Sequence, residues 1–125
     1  MEYGQKGQEV FKKIFGDKAD GIRKMLDELS PGLSGPGIDF PFGEFYAKDD
    51  LLDLKSRELV TISSLVTQGS TLPQLGFHIH AALNVGCTPT QIEQAILQLI
   101  VYVGVPKVLN ALKTYREVLE ERGQS

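Results

Sequence analysis

The sequence predicts an all-α, single-domain helical bundle of about six to seven helices, with a helix hairpin at its centre. Three observations lead to this prediction. Apolar residues recur at three- and four-residue spacing along most of the 125-residue chain. No run alternates apolar and polar residues over the length of a strand. Residues that end one helix and begin the next stand close together, most clearly at Gly86 and Thr88.

Length and composition limit the classes of function. One domain, residues 1–125, is expected to bury roughly two thirds of its unfolded surface. The formal net charge of -3 offers no basic surface for a phosphate backbone, so we expect no nucleic-acid partner. We expect no secretory leader, because the amino end lacks the positively charged, apolar, small-residue pattern of one. We expect no membrane span, because the longest apolar run, 97–106, is far shorter than the roughly 20 residues a bilayer needs. A single cysteine fits a cytoplasmic protein.

The first half of the chain predicts two amphipathic helices followed by a connector. The first helix covers about residues 5–15, and the second ends near Ser30. Prolines and glycines then make 30–43 an ordered connector, with a short helix around 42–47. Three aspartates follow near the entrance to the next helix, where capping and solvation account for them better than metal binding does. They are Asp49, Asp50 and Asp53.

The second half predicts four longer helices. The first covers about residues 54–67, and the second begins after the Thr71 cap and ends at Gly86. A third, about 89–103, starts with Thr88 as its cap, Pro89 at its first position and Gln91 three residues after the cap. Its residues are apolar almost all round, which predicts burial by a second subunit as well as by the chain's own core. A last amphipathic helix ends near Arg122.

The two histidines lie on different faces of one predicted helix. At about 100° per residue, His78 falls beside the inward residues Leu75 and Ala82, whereas His80 stands roughly 160° away. On the preceding helix, Glu58 lies at the edge of the apolar face. Metal ligation is not expected, because these residues do not converge on one helical face and no paired-cysteine spacing exists.

A set of motifs in order resembles the gamma-carboxymuconolactone decarboxylase family. They are Leu54-Lys55-Ser56-Arg57-Glu58-Leu59, then His78 with Ala81-Ala82-Leu83-Asn84-Val85-Gly86, then Thr88, Ile92, Glu93, Ala95 and Gln98, and finally Tyr102-x-Gly104-x-Pro106. The resemblance covers roughly residues 40–112. It implies an alkylhydroperoxidase D-like fold and a homo-oligomer, a trimer or a hexamer.

The resemblance also implies an activity. In the decarboxylase branch the substrate is a small carboxylated lactone, 4-carboxymuconolactone, from aromatic-compound catabolism, and no cofactor is used. In the antioxidant peroxidase branch a Cys-x-x-Cys pair precedes the histidine, but here Thr71 and Gln74 occupy those positions. Because dithiol chemistry needs a thiolate and a resolving partner, we expect a carboxy-lyase rather than a peroxidase. A non-catalytic oligomer that binds a small ligand is the other alternative.

Five residues are the candidates for the site. Glu58 and His78 are expected to handle the proton, because a carboxylate bound to an imidazole fixes its tautomer and raises its basicity. Arg57, His80 and Tyr102 are candidates for binding substrate carboxylates. Helical phase points Arg57 and His80 away from the proton-handling faces, so we expect them at a subunit contact or in solvent. Tyr102 is expected among apolar residues, with its hydroxyl toward the cleft or as a buried structural tyrosine.

Overall fold

The computed structural model describes residues 3–124 and confirms the all-helical fold class. No strand occurs within this range. The α-helices are α1 (Tyr3–Phe15), α2 (Ala19–Leu29), α3 (Leu54–Gln68), α4 (Leu72–Asn84), α5 (Pro89–Leu97), α6 (Ile100–Val103) and α7 (Val105–Glu121). A 3-10 turn (Gly16–Lys18) and two π-helical turns (Gly35–Asp39 and Phe42–Tyr46) complete the elements. Contacts divide the chain into two compact units, Met1–Leu54 and Lys55–Ser125.

In the first unit, α1 packs closely against the two π-helical turns. Phe42 stacks on Tyr46 with ring centroids 4.4 Å apart and meets Phe11 edge-on at 5.0 Å. The approach of the backbones requires glycine, since a Cβ added at Gly7 would lie 2.2 Å from the carbonyl oxygen of Asp39. Aromatic packing and a close backbone contact therefore hold this unit together.

The connector is more helical than the sequence predicted. Only the helix near 42–47 was expected, yet Gly35–Asp39 forms a further π-helical turn. Its Ile38 is buried, and the Asp27 carboxylate accepts hydrogen bonds from the Ser34 backbone N–H and hydroxyl, each at 2.9 Å. The backbone N–H of Ser34 holds the pKa of Asp27 below its ordinary value, and the hydroxyl adds to the effect. These tertiary contacts stabilise turns that local propensity disfavours.

The second unit is built around one apolar core shared by α3, α4, α5 and α7. The core residues with at most 1% of their surface exposed are Ile62, Val66, Leu75, Ile79, Ala82, Ile92, Ile96, Val108, Ala111 and Leu119. The predicted hairpin of α4 and α5 is present, and Thr88 and Gln91 form a reciprocal capping box at the start of α5. Within residues 3–124, no helix combines the length and the apolar character needed to cross a membrane.

The predicted continuous helix over 89–103 is wrong. Helix α5 ends at Leu97, and α6 starts again at Ile100. At the break, the Leu99 N–H bonds to the Ile96 carbonyl three residues back, and the Leu99 side chain turns into the core. Part of the apolar surface, predicted to be buried by the chain's own core and by a second subunit, is exposed on α6 of the single chain, where Val101 is among the most exposed apolar residues.

A buried tyrosine joins the last helix to the hairpin. The Tyr115 hydroxyl on α7 donates a hydrogen bond to the Pro89 carbonyl at the start of α5, with an O···O distance of 3.0 Å. Burial raises the pKa of Tyr115, and the Glu93 carboxylate raises it further. The neutral phenol is thus the form that this packing favours.

Candidate active site

Helix α3 places a carboxylate inside the second unit. Glu58, Ile62 and Val66 lie four residues apart on the buried face of α3. The Glu58 side chain has no exposed surface, although carboxylates are rarely buried completely. The sequence predicted that Glu58 lies at the edge of the apolar face, whereas the structure buries its side chain completely.

Helix α4 brings a histidine to this carboxylate. The His78 Nδ1 atom lies 2.7 Å from Glu58 Oε1, a distance typical of a charge-assisted hydrogen bond. Because an ionised carboxylate only accepts hydrogen bonds, the pair places a proton on Nδ1. The His78 side chain keeps 17% of its surface exposed, so part of this residue is accessible to solvent.

The second oxygen of Glu58 is unusual. Among residues 3–124, no hydrogen-bond donor meets the buried Oε2 atom. A buried carboxylate oxygen without a donor costs free energy, and functional sites are where folds most often retain such a cost. A carboxylate that depends on one histidine for its hydrogen bond is suited to holding a proton on that histidine.

His80 lies in a different environment, and the expectation that it lies in solvent is wrong. Its ring is buried, with Nε2 3.0 Å from Glu121 Oε2 and Nδ1 3.3 Å from the Arg122 guanidinium. The end of α7 covers this face of α4, and Arg122 also donates to Asn84 Oδ1 at 3.1 Å. Both ring nitrogens of His80 therefore face residues of the same chain.

The other two candidates are placed differently from Glu58 and His78. Arg57 is half-buried on α3, adjacent to Glu58 in sequence but on another helical face. Tyr102, expected among apolar residues, has 80% of its surface exposed. Tyr102 lies on the short helix α6 that follows the break after α5. Tyr102 is not the buried tyrosine that the sequence predicted.

The one cysteine of the sequence, Cys87, is not at either of the two positions where the peroxidase branch carries its cysteine pair. Cys87 is buried in the turn between α4 and α5, and its Sγ atom lies 3.7 Å from the Lys55 carbonyl oxygen as a weak donor. Within the described part of the chain, no group of three or more histidine, cysteine, aspartate or glutamate side chains is arranged to hold a metal ion.

The protein is all-helical, and a fully buried glutamate on one helix is paired with a histidine on the next. This pair is a candidate site for proton transfer. The family model described as the carboxymuconolactone decarboxylase family matches residues 38–117, a range that contains both residues. The chain belongs to that family.

Several curated proteins are similar over nearly the whole chain. A nitrosuccinic acid decarboxylase of Metarhizium robertsii is 33% identical over 119 residues, covering 92% of this chain and 80% of the relative. A 4-carboxymuconolactone decarboxylase of Acinetobacter baylyi is 27% identical over 95% of this chain and 88% of the relative. An uncharacterized 15.0 kDa protein of Paracoccus denitrificans is 27% identical over 96% of this chain and 90% of the relative. Two of the three are named as decarboxylases.

Proposed function

We propose that this protein is a cofactor-independent decarboxylase of a small carboxylated lactone or a related acid, with Glu58 and His78 in proton transfer. The observation that carries the proposal is the 2.7 Å contact between His78 Nδ1 and the wholly buried Glu58. Family membership and similarity to two decarboxylases support the reaction class.

The substrate names of these relatives define a shared chemistry. The 4-carboxymuconolactone and nitrosuccinic acid molecules each carry more than one carboxyl group and an unsaturated or nitro group that can accept electrons. When carbon dioxide leaves, the C–C bond breaks and its electron pair spreads into that acceptor, as a furanolate-like anion or a nitronate. A cofactor is then unnecessary, provided that the protein stabilises the anion and supplies an acid.

The proposed mechanism assigns one role to each member of the pair. His78, protonated on both nitrogens, donates its Nε2 proton to a carbon of the delocalised anion that remains after carbon dioxide has left. The Nδ1 proton stays toward Glu58, which orients the ring and stabilises its positive charge. Solvent then returns one proton to His78 through its exposed edge. The reaction consumes one substrate carboxylate and one proton, and yields carbon dioxide and a C–H bond.

We propose that a homo-oligomer completes the site. The exposed apolar side chains at the junction of α6 and α7, Ile100, Val101, Tyr102, Val105 and Leu109, form a surface suited to a second copy. Arg57 and Tyr102 are then the candidates for contacting substrate carboxylates in the assembly, as a cation and a hydroxyl donor. Sedimentation tests this part, since a 13.8 kDa species at micromolar concentration would contradict it.

The activity is tested by measuring carbon dioxide release from 4-carboxymuconolactone and, separately, from nitrosuccinic acid by the purified protein. We expect turnover with one of them, and the same rate in Cys87→Ser because no thiol takes part. Failure of both acids in a folded protein would contradict the proposal. A rate that collapses in Cys87→Ser would favour thiol chemistry instead.

A further inference from the structure

The imidazole of His80 is a buried titratable group that has no role in the proposed mechanism. This ring is fixed by groups on both sides, Glu121 at Nε2 and Arg122 at Nδ1. Both partners lie at the carboxyl end of α7, about forty residues away in sequence. A histidine that only fills volume in the core does not need a charged partner at each ring nitrogen, as His80 has.

The partners determine the protonation of the His80 ring. A guanidinium can only donate hydrogen bonds, so Nδ1 of His80 must be the acceptor and carry no proton. The proton is then on Nε2, which donates to the Glu121 carboxylate. His78 has the opposite arrangement, because its Nδ1 faces a carboxylate and carries a proton. Helix α4 thus carries two histidines in different arrangements. His78 directs a protonated Nδ1 to Glu58, and His80 directs a protonated Nε2 to Glu121.

Arg122 strengthens the attachment of α7 to α4. The same Nη1 atom that faces His80 lies 3.1 Å from Asn84 Oδ1, one turn further along α4. The end of α7 therefore contacts two successive turns of the helix that carries His78. We call the set of His80, Asn84, Glu121 and Arg122 the α7 latch.

The latch and the proposed catalytic pair hold α4 from opposite sides. His78 and His80 are about 160° apart around the helix axis, so one is tied to α3 and the other to α7. Side-chain atoms lie about 5–6 Å from the axis, and a 10° roll of α4 would therefore move them by about 1 Å. A shift of that size is enough to weaken a 2.7 Å hydrogen bond.

We propose that His80 is a positioning residue, through which the α7 latch sets the rotation of α4 and so keeps His78 Nδ1 on Glu58. This inference rests on the proposed function for its catalytic consequence, but its structural content is separate. His80 contacts neither substrate nor the reacting atoms in this account. It acts through the orientation of His78.

The test follows the His78 Nδ1–H proton by nitrogen-15 NMR of the imidazole rings in the full-length protein. In the wild type we expect a proton on Nδ1 of His78 and none on Nδ1 of His80. In His80→Gln and Arg122→Gln, the His78 Nδ1–H signal should be lost or should exchange with water at least about tenfold faster. Arg122→Lys keeps a donor and should retain the signal, as should the control Arg116→Gln, which changes an exposed arginine of α7.

Exchange at His78 within twofold of wild type in both folded latch variants would overturn the proposal and leave the latch a purely structural contact. If His80→Gln does not fold, Arg122→Gln decides the question. Where the protein turns over an acid, the latch variants should lower kcat about ten- to a hundredfold with KM within twofold. Absence of turnover in the wild type would refute the proposed function alone, since the NMR result stands without it.

Discussion

Glu58→Gln should separate stability from activity at the proposed site. Taking a carboxylate out of water costs several kcal/mol, and one charge-assisted hydrogen bond returns about 1.5–3 kcal/mol. Because Glu58 is fully buried and no donor among residues 3–124 meets Oε2, a deficit remains in the wild type. Glutamine has nearly the same shape, carries no charge and still accepts from His78. We therefore expect the free energy of unfolding to rise by about 1–2 kcal/mol.

The same substitution should lower kcat for carbon dioxide release by about a hundredfold, because a neutral amide does not stabilise the imidazolium form of His78. Guanidinium denaturation at neutral pH measures the stability, and Glu117→Gln, on the exposed side of α7, is the matched control for charge. A loss of more than about 1 kcal/mol in Glu58→Gln would refute the reasoning. It would mean that the carboxylate and a protonated His78 form a net stabilising ion pair.

Three further predictions concern the fold and its pH dependence. Gly7→Ala should destabilise by about 1–3 kcal/mol in chemical denaturation, since its Cβ would meet a carbonyl oxygen at 2.2 Å, whereas Gly4→Ala, with open space around it, should not. Thr88→Ala removes the capping box and should cost about 1 kcal/mol by the same assay. Because the pKa of Asp27 is lowered in the folded protein, its hydrogen bonds to Ser34 stabilise the fold above the ordinary carboxyl pKa. This stability is lost as pH falls through the folded pKa. Asp27→Asn should therefore reduce the fall of the melting temperature at acid pH, measured by thermal melts over a series of pH values.

The contact between Glu58 and His78 could be predicted from sequence because local patterns indicate where each residue lies on its helix. His78 falls on the apolar face of its helix by simple phase, and the family motif singles out Glu58 beside an apolar stripe. Their 2.7 Å contact required only that consecutive helices pack together. Local periodicity and a short connection were sufficient for this part of the site.

The α7 latch could not be predicted in the same way. Glu121 and Arg122 stand at a helix end, where charged residues are ordinary, and nothing local indicates that they reach His80 about forty positions earlier. The break between α5 and α6 was missed for a related reason. The apolar pattern continues through Leu99, and only the core that receives this side chain makes the helix end there.

The central claim is that His78, held by Glu58, delivers the proton after carbon dioxide has left. The measurement that tests it most directly is kcat for carbon dioxide release by His78→Asn, with the acid that the wild type turns over. We predict a loss of at least about a hundredfold in a variant that keeps the wild-type circular dichroism and oligomeric state. Turnover within twofold of wild type in that folded variant would contradict the account.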